Sequence, residues 1–247
     1  MNLTVCIATF NGVKYLDEQI CSVLDNLRDG DEIIILDDCS NDGTWDLICN
    51  YTDPRIKVYK NDKNLGHVRT FGKLLELSTH EIVVLCDQDD IWSQGRLELM
   101  RSALCGSHAC LVTGNLQSID SGGQRLNCLK TEINVNDSGK NLLNIIRIIV
   151  GNSPYFGCVM ALRRELIKKV LPIPSYIESH DLWIALCANV IQRNMHIEQI
   201  VLYRRIHGAN ASLSGRPFVN KVISRILLTF ACLHFVLRLL QRKTASF

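Results

Sequence analysis

The sequence lacks the glycine cradles that usually hold nucleotides. Neither Gly-x-Gly-x-x-Gly nor Gly-x-x-x-x-Gly-Lys-Ser/Thr occurs in its 247 residues, which removes the common dinucleotide and triphosphate loops. It lacks a strong excess of one charge: a formal net charge of +2 gives no footing for a nucleic-acid partner. It also lacks any Cys-x-x-Cys pair. The 11 cysteines are scattered, odd in number and often set in apolar runs, which argues against a disulfide framework or a zinc site. They suit reduced thiols in a cytosolic environment, many of them buried as small hydrophobes. No internal repeat or low-complexity segment is present. Met1–Ile7 has no basic n-region or cleavage site and runs straight into a strand, which argues against secretion. A hydrophobic share of 47% with 21% charged residues is that of a globular protein and excludes disorder. The length suffices for one large core or two small ones.

The first half alternates short apolar runs with helical segments. Strands are expected at Leu3–Ala8, Ile33–Leu36, Ile56–Tyr59 and Ile82–Cys86, and helices at Tyr15–Leu27, Thr44–Asn50 and Val68–Leu77. Strands that are apolar throughout, interleaved with helices, predict an α/β fold with a mostly parallel central sheet covered on both faces. Ala109–Gly114 reads as a further strand. Ser118–Gly139 is polar and rich in Gly and Asn, the strands and loops of a less regular region. Asn141–Val150, Arg164–Val170 and His180–Arg193 read as helices, and Cys158–Leu162 and Ile200–Arg204 as strands.

In such sheets ligands collect at the carboxyl ends of the strands, and the polar clusters lie there. Thr9-Phe10-Asn11-Gly12 follows the first strand, Asp37-Asp38-Cys39-Ser40 the second and Cys86-Asp87-Gln88-Asp89-Asp90 the fourth. Three carboxylates so close repel one another unless solvent or a cation neutralises them. Asp87 and Asp89, two residues apart on extended chain, can converge on one ligand, and oxygen ligands of this kind suit Mg²⁺ or Mn²⁺. Asp37 and Asp38 could accept hydrogen bonds from a ribose or base, or could cap the following helix. Arg69, after Asn64-Leu65-Gly66, could meet a base or phosphate, or could sit on a solvated helix face.

These motifs, in this order and spacing, resemble family 2 glycosyltransferases, inverting enzymes of the GT-A fold. The resemblance covers roughly residues 3–210. The form Asp87-Gln88-Asp89-Asp90-Ile91-Trp92 looks most like bacterial transferases that build O-antigen, capsule and other surface polysaccharides, rhamnosyltransferases among them. It implies a nucleotide-sugar donor such as dTDP-rhamnose or a UDP-hexose, and a glycan or lipid-linked oligosaccharide acceptor. Thr9, Asn11, Asp37, Asp38 and Asp87 would lie around the nucleotide, and Asp89 would be the main metal ligand, with Asp87 beside it. His207, in Tyr203-Arg204-Arg205-Ile206-His207-Gly208-Ala209-Asn210, resembles the late histidine of the family and is a further candidate ligand for cation or diphosphate. Ser179-His180-Asp181-Leu182-Trp183 stands where the family places its base. Asp181 is therefore the candidate base, against the reading of a helix N-cap. His180 would orient Asp181 or line the acceptor site, and Trp183 would stack on a sugar or pack inward. Gly157, in a segment resembling the acceptor-side loop, joins them.

Two rivals are a sugar-nucleotide nucleotidyltransferase, which needs a Gly-rich basic loop absent after the first strand, and a non-catalytic subunit of a polysaccharide assembly complex. The expected organisation is a domain over 1–215, with a nucleotide-sugar half (1–115) and an acceptor half (116–215), then a basic, apolar tail over 216–247. In that tail Ile226–Leu240 is nearly all apolar, with Lys221 and Arg225 before it and Arg242 and Lys243 after. It is shorter than the roughly 20 apolar residues that span a bilayer. Two readings stand: an amphipathic interfacial anchor or partner surface, and a core helix closing the domain. The anchor reading places the protein at the inner face of the plasma membrane, in peripheral contact with it.

Overall fold

The computed structural model describes residues 1–127, 132–208 and 218–244, without the side chains of Phe218, Arg242, Lys243 and Thr244. Residues 209 and 210 of the late motif and the outermost parts of the tail therefore lie outside the described residues. Eight strands, β1 (Leu3–Thr9), β2 (Glu32–Asp37), β3 (Ile56–Lys60), β4 (Ile82–Cys86), β5 (Ile91–Trp92), β6 (Leu111–Ile119), β7 (Met160–Arg163) and β8 (Asn194–Arg205), form one sheet in the order β3-β2-β1-β4-β7-β6-β8-β5. Helices α1 (Val13–Leu24), α2 (Thr44–Cys49), α3 (His67–Leu77), α4 (Arg96–Cys105), α5 (Asn141–Val150), α6 (Arg164–Val170), α7 (His180–Val190) and α8 (Phe218–Thr244) surround it.

The apolar strands are continuous because both faces are buried. Val5 and Ile7 of β1 enter one core with Leu16, Ile20 and Val23 of α1. Cys6, between them, enters the other with Phe71 and Leu74 of α3. β3, β2, β1 and β4 are parallel, so Thr9, Asp37 and the residues after Cys86 reach the same sheet edge. β6 pairs with β8 in parallel, whereas β7 runs antiparallel to β4 and β6, and β5 antiparallel to β8. The sheet is thus parallel in its first half and mixed in its second. The division expected at residue 115 falls inside β6, so the two halves share one sheet.

Asn141–Val150 and Arg164–Val170 are helical over the expected residues. Helix α4 was not expected. Its buried side includes Arg96 and Arg101, so the apolar period that announces a helix is broken by charge. Both arginines have buried partners: Arg101 Nη2 lies 2.8 Å from Asp31, and the Arg96 guanidinium stacks on Trp92 at 3.9 Å and donates to the Cys158 carbonyl at 2.5 Å. Helix α7 stops at Val190 rather than Arg193, because the chain turns at Gln192 with φ 58° into β8.

The tail helix is 27 residues long. Its stretch Val219–Gln241 is long and apolar enough to cross a membrane, which corrects the shorter run read from residues 226–240. One side of it closes the core. Leu228, Ala231 and Phe235 are buried, and the Phe235 ring meets Trp183 of α7 edge-on at 5.6 Å. Phe235→Ala should therefore destabilise the whole domain by about 3–5 kcal/mol, measured by urea unfolding. An unchanged midpoint would mean that α8 is not part of the cooperative unit.

Candidate active site

The loops at the carboxyl edge of the parallel strands brace one another. Asp37 is fully buried and accepts from Thr9 Oγ1 (3.2 Å), from the Ser40 N–H (3.0 Å) and from the Ser40 hydroxyl. Thr9 is 2% exposed. The expected direct contact of Asp37 with a nucleotide is corrected accordingly: its carboxylate is enclosed by Thr9 of β1 and by Ser40. Asp38 accepts from Asn61 Nδ2, Leu65 N and Gly66 N, each at 2.8 Å, and so shapes the loop ahead of α3. Asn11 sits at φ 48°, and its Oδ1 accepts from Asn41 N at 3.0 Å. Gln88 clasps the Phe10 backbone through both amide atoms, at 2.8 and 3.1 Å. That clasp leaves no room at Gly12, where a Cβ would stand 2.3 Å from Gln88 Oε1. Sequence reasoning passed over Gln88, although it lies inside the acidic motif. Arg69 is exposed on the first turn of α3, where it lines a cavity of about 500 Å³ between α3 and residues 171–178.

The acid cluster after β4 is held from two directions. Because β5 pairs with β8, the residues after β8 return across the cluster. His207 Nε2 lies 2.8 Å from Asp89 Oδ2, the Arg205 N–H donates to Asp90 Oδ1 at 3.1 Å, and Arg205 Nε donates to the Asp89 carbonyl at 3.1 Å. Because β7 runs antiparallel to β4, the residues before it, Gly157 and Cys158, stand beside the end of β4. Burial pushes the Asp87 carboxyl up to about 7; repulsion from Asp89 and Asp181 adds to this and the Arg204 guanidinium opposes it. Asp90 is 2% exposed, and burial, with repulsion from Asp87 and Asp89, raises it well above the carboxylate range. Arg204 is a second site residue that sequence reasoning missed.

Two groups could receive a cation. Ligand atoms of Asp87, Asp90 and Cys158 lie within 4.8 Å of one another. Sulfur is a soft donor, so the Cys158 thiol makes this group a poor site for a hard ion. Asp89 with His207, 2.8 Å apart, offers carboxylate oxygen and imidazole nitrogen, the donor set that Mn²⁺ or Mg²⁺ accepts. The residues present fit a divalent ion there.

Across the cleft, Ser179, not Asp181, is the N-cap of α7: its Oγ accepts from Leu182 N at 3.3 Å. Asp181 lies in the first turn, where the helix dipole favours an anion. Its Oδ1 accepts from Leu182 N (2.8 Å) and from the Ser179 hydroxyl, and its Oδ2 accepts from the Gly157 N–H at 3.3 Å. His180 is 6% exposed and stacks on Phe71 at 4.1 Å, and neither ring nitrogen has a hydrogen-bond partner. Burial, reinforced by His67 and opposed by Asp181, lowers it to about 4, so the ring is neutral. A Cβ on Gly157 would meet His180 Nε2 at 2.8 Å, so a larger residue there would press on His180, beside Asp181. Trp183 is fully buried and donates from Nε1 to the Val170 carbonyl at 3.1 Å. The expected sugar contact of Trp183 is corrected: of its two readings, inward packing is the one observed.

Residues 4–171 match the family model described as glycosyl transferase family 2. The chain is 28% identical over 226 residues to an uncharacterized glycosyltransferase of Nostoc sp., covering 87% of this chain and 68% of that protein. It is 24% identical over 119 residues to the UDP-Glc:alpha-D-GlcNAc-diphosphoundecaprenol beta-1,3-glucosyltransferase WfgD of Escherichia coli, covering 48% of this chain and 47% of that enzyme. Among solved structures, S. aureus TarS 1-349 in complex with UDP-GlcNAc superposes with a TM-score of 0.72 at 18% identity, over 94% of this chain and 66% of that one. The mannosyltransferase PcManGT from Pyrobaculum calidifontis, in complex with GDP-Man and Mn²⁺, gives 0.62 at 18% identity, over 99% and 75%. At these identities the likeness is one of fold.

The raised Asp87 has a measurable consequence. The native state keeps its proton up to about pH 7, whereas the unfolded chain releases it near pH 4. Between those limits the native state binds more protons, so stability falls as pH rises. In chelator, wild type should lose on the order of 2–4 kcal/mol relative to Asp87→Asn between pH 4 and pH 8, read by urea unfolding at each pH. Parallel profiles would show that Asp87 ionises at its ordinary value.

Proposed function

The chain belongs to glycosyl transferase family 2, and on that premise we propose that it moves a sugar from a nucleotide-diphosphate donor to a glycan acceptor, with inversion, in bacterial surface-polysaccharide synthesis. The carrying observation is that Asp181 and the β4 carboxylates meet at one segment: Asp181 accepts from the Gly157 N–H at 3.3 Å, and the next residue, Cys158, has its sulfur within 4.8 Å of carboxylate oxygens of Asp87 and Asp90. An inverting displacement needs this arrangement, with a base on the acceptor side and charge neutralisation on the leaving-group side.

In this reading Asp181 takes the proton of the acceptor hydroxyl as its oxygen bonds to C1 of the donor sugar. The bond from C1 to the diphosphate breaks, and the nucleoside diphosphate leaves with the electron pair. The Gly157 N–H, Leu182 N–H and Ser179 hydroxyl aim the carboxylate, and Gly157 lines the acceptor side. Buried His180 walls that side without exchanging a proton near neutral pH. Asn11, the loop shaped by Asp38, and Arg69 flank the nucleotide, while Thr9 and Asp37 act through the loops they fix. Asp89 and His207, with Asp87 beside them, would hold Mg²⁺ or Mn²⁺, which supplies Lewis-acid stabilisation of the departing diphosphate. The similar E. coli enzyme, named for a diphosphoundecaprenol acceptor, and the apolar α8 support a lipid-linked acceptor at the inner face of the membrane. UDP-GlcNAc and GDP-Man in the similar structures support a sugar nucleotide, with dTDP-rhamnose and UDP-hexoses the first donors to try.

A panel of sugar nucleotides assayed for cation-dependent hydrolysis and transfer tests the donor. On the donor that turns over, Asp181→Asn should lower kcat by about 10²–10⁴-fold with donor affinity retained in calorimetry. Asp89→Ala should lose the response to added cation. Near-normal turnover of Asp181→Asn, or activity that survives exhaustive chelation, would overturn the corresponding role.

A further inference from the structure

Helices α5 and α8 carry an apolar surface that the catalytic cleft does not use. On α8, Ile226, Phe230, Leu233 and Leu237, opposite the face packed on α7, are 57–63% exposed. On α5, Leu142 is 72% and Val150 62% exposed, with Ile146 between them at 48%. Most of the exposed large apolar side chains among the described residues lie on these two helices, far more than the scattered hydrophobics of an ordinary surface. The helices are neighbours: the Arg225 guanidinium of α8 lies against Gly151 at the end of α5, and both helices pack on α7. Their faces turned away from α7 therefore look out on one side of the molecule.

Charge indicates what covers this side. Neither helix contains Asp or Glu, while Lys221, Arg225, Arg238, Arg242 and Lys243 lie on α8 and Arg147 on α5. Arg147 is paired with Asp137 at 2.5 Å. A second copy of the same face would bring like charges together, whereas an anionic lipid surface complements them. The inner side of α8 is fastened to the domain along its length, by the Ser224 hydroxyl to Glu178, Tyr176 Oη to His234 Nδ1 at 2.6 Å, and Arg238 Nη2 to the Pro172 carbonyl at 3.1 Å. Crossing a bilayer would break these contacts.

We propose that α5 and α8 together form a two-helix platform that lies in the plane of an anionic membrane surface, with Leu142, Ile146 and Val150 of α5 entering it beside Ile226, Phe230 and Leu233 of α8. The platform backs α7, whose first turn carries Asp181, and Ser224 of α8 bonds Glu178, three residues before Asp181. The membrane contact thereby sets the height of the candidate base above the lipid. This use rests on the glycosyl-transfer reading, but the binding does not.

The test is flotation of the full chain with vesicles of phosphatidylcholine, with and without phosphatidylglycerol, in the absence of donor and acceptor. Failure of the transfer reading would thus leave the result untouched, and failure of binding would leave turnover on a soluble acceptor untouched. Wild type should bind the anionic vesicles at least tenfold more tightly than the neutral ones. Leu142→Glu/Val150→Glu and Ile226→Glu/Leu233→Glu should each weaken that binding tenfold or more at unchanged Tm. Wild-type binding by the α5 variant would overturn the platform. Resistance of the bound protein to alkaline carbonate would mean that α8 crosses the bilayer. A dimer dissolved by these substitutions, without vesicle binding, would mean that the face seats a second copy.

Discussion

Asp87, Asp89 and Asp90 stand within four residues at the end of a strand whose five residues are all buried, and the rest of the site is arranged around the repulsion among them. Each neighbour deals with one charge. Asp90 is driven inward, where burial raises its carboxyl well above the ordinary range and its Oδ1 accepts from the Arg205 backbone N–H. Asp89 stays at the cleft and meets His207. Asp87 is left between, raised by burial and by the charges on either side, with the Arg204 guanidinium opposing them. Without the return of β8 across this strand end, three ionised carboxylates would face a low-dielectric core, which costs far more than one loop can offset.

That return explains the change of sheet direction halfway through the chain. Parallel strands place loops at one edge, but they cannot bring distant segments face to face across the last strand. The antiparallel β7 delivers Gly157 and Cys158 beside β4, and the antiparallel contact of β5 with β8 delivers Arg204, Arg205 and His207. The first half of the fold thus supplies one rim of the cleft, and the reversal of direction supplies what faces it.

This division also explains what was legible in the sequence. Leu3–Thr9 and Ile82–Cys86 could be read because each is apolar on both faces and ends in polar residues at the same edge. The candidate base and the late histidine were readable only through the resemblance, since neither has a local pattern that distinguishes it from a helix-terminal or surface residue. Helix α4 escaped because its inward face carries Arg96 and Arg101, whose partners Cys158 and Asp31 are remote in sequence. Asp37 and Trp183 misled for the same reason. A carboxylate at a strand end and a tryptophan beside a candidate base look like ligand contacts until the long-range partners, Thr9 and Phe235, enclose them. Periodicity reports which way a residue faces along its own element, but not what the other elements bring to meet it.

Helix α7 joins the candidate cleft to the outer helices α5 and α8. Most of its residues are buried, since it is covered by the sheet on one side and by α5 and α8 on the other. Its first turn faces the cleft, where Asp181 is held by the Gly157 N–H, and its Trp183 holds α8 through Phe235. A rigid helix transmits position without needing a moving part, so the geometry of the outer helices and of the candidate base are one constraint. An acceptor carried on lipid would present its hydroxyl at a fixed distance from the surface, and a base mounted directly on the surface-facing layer meets it without a search. The long, apolar α8 is therefore the wall behind the helix that carries the candidate base.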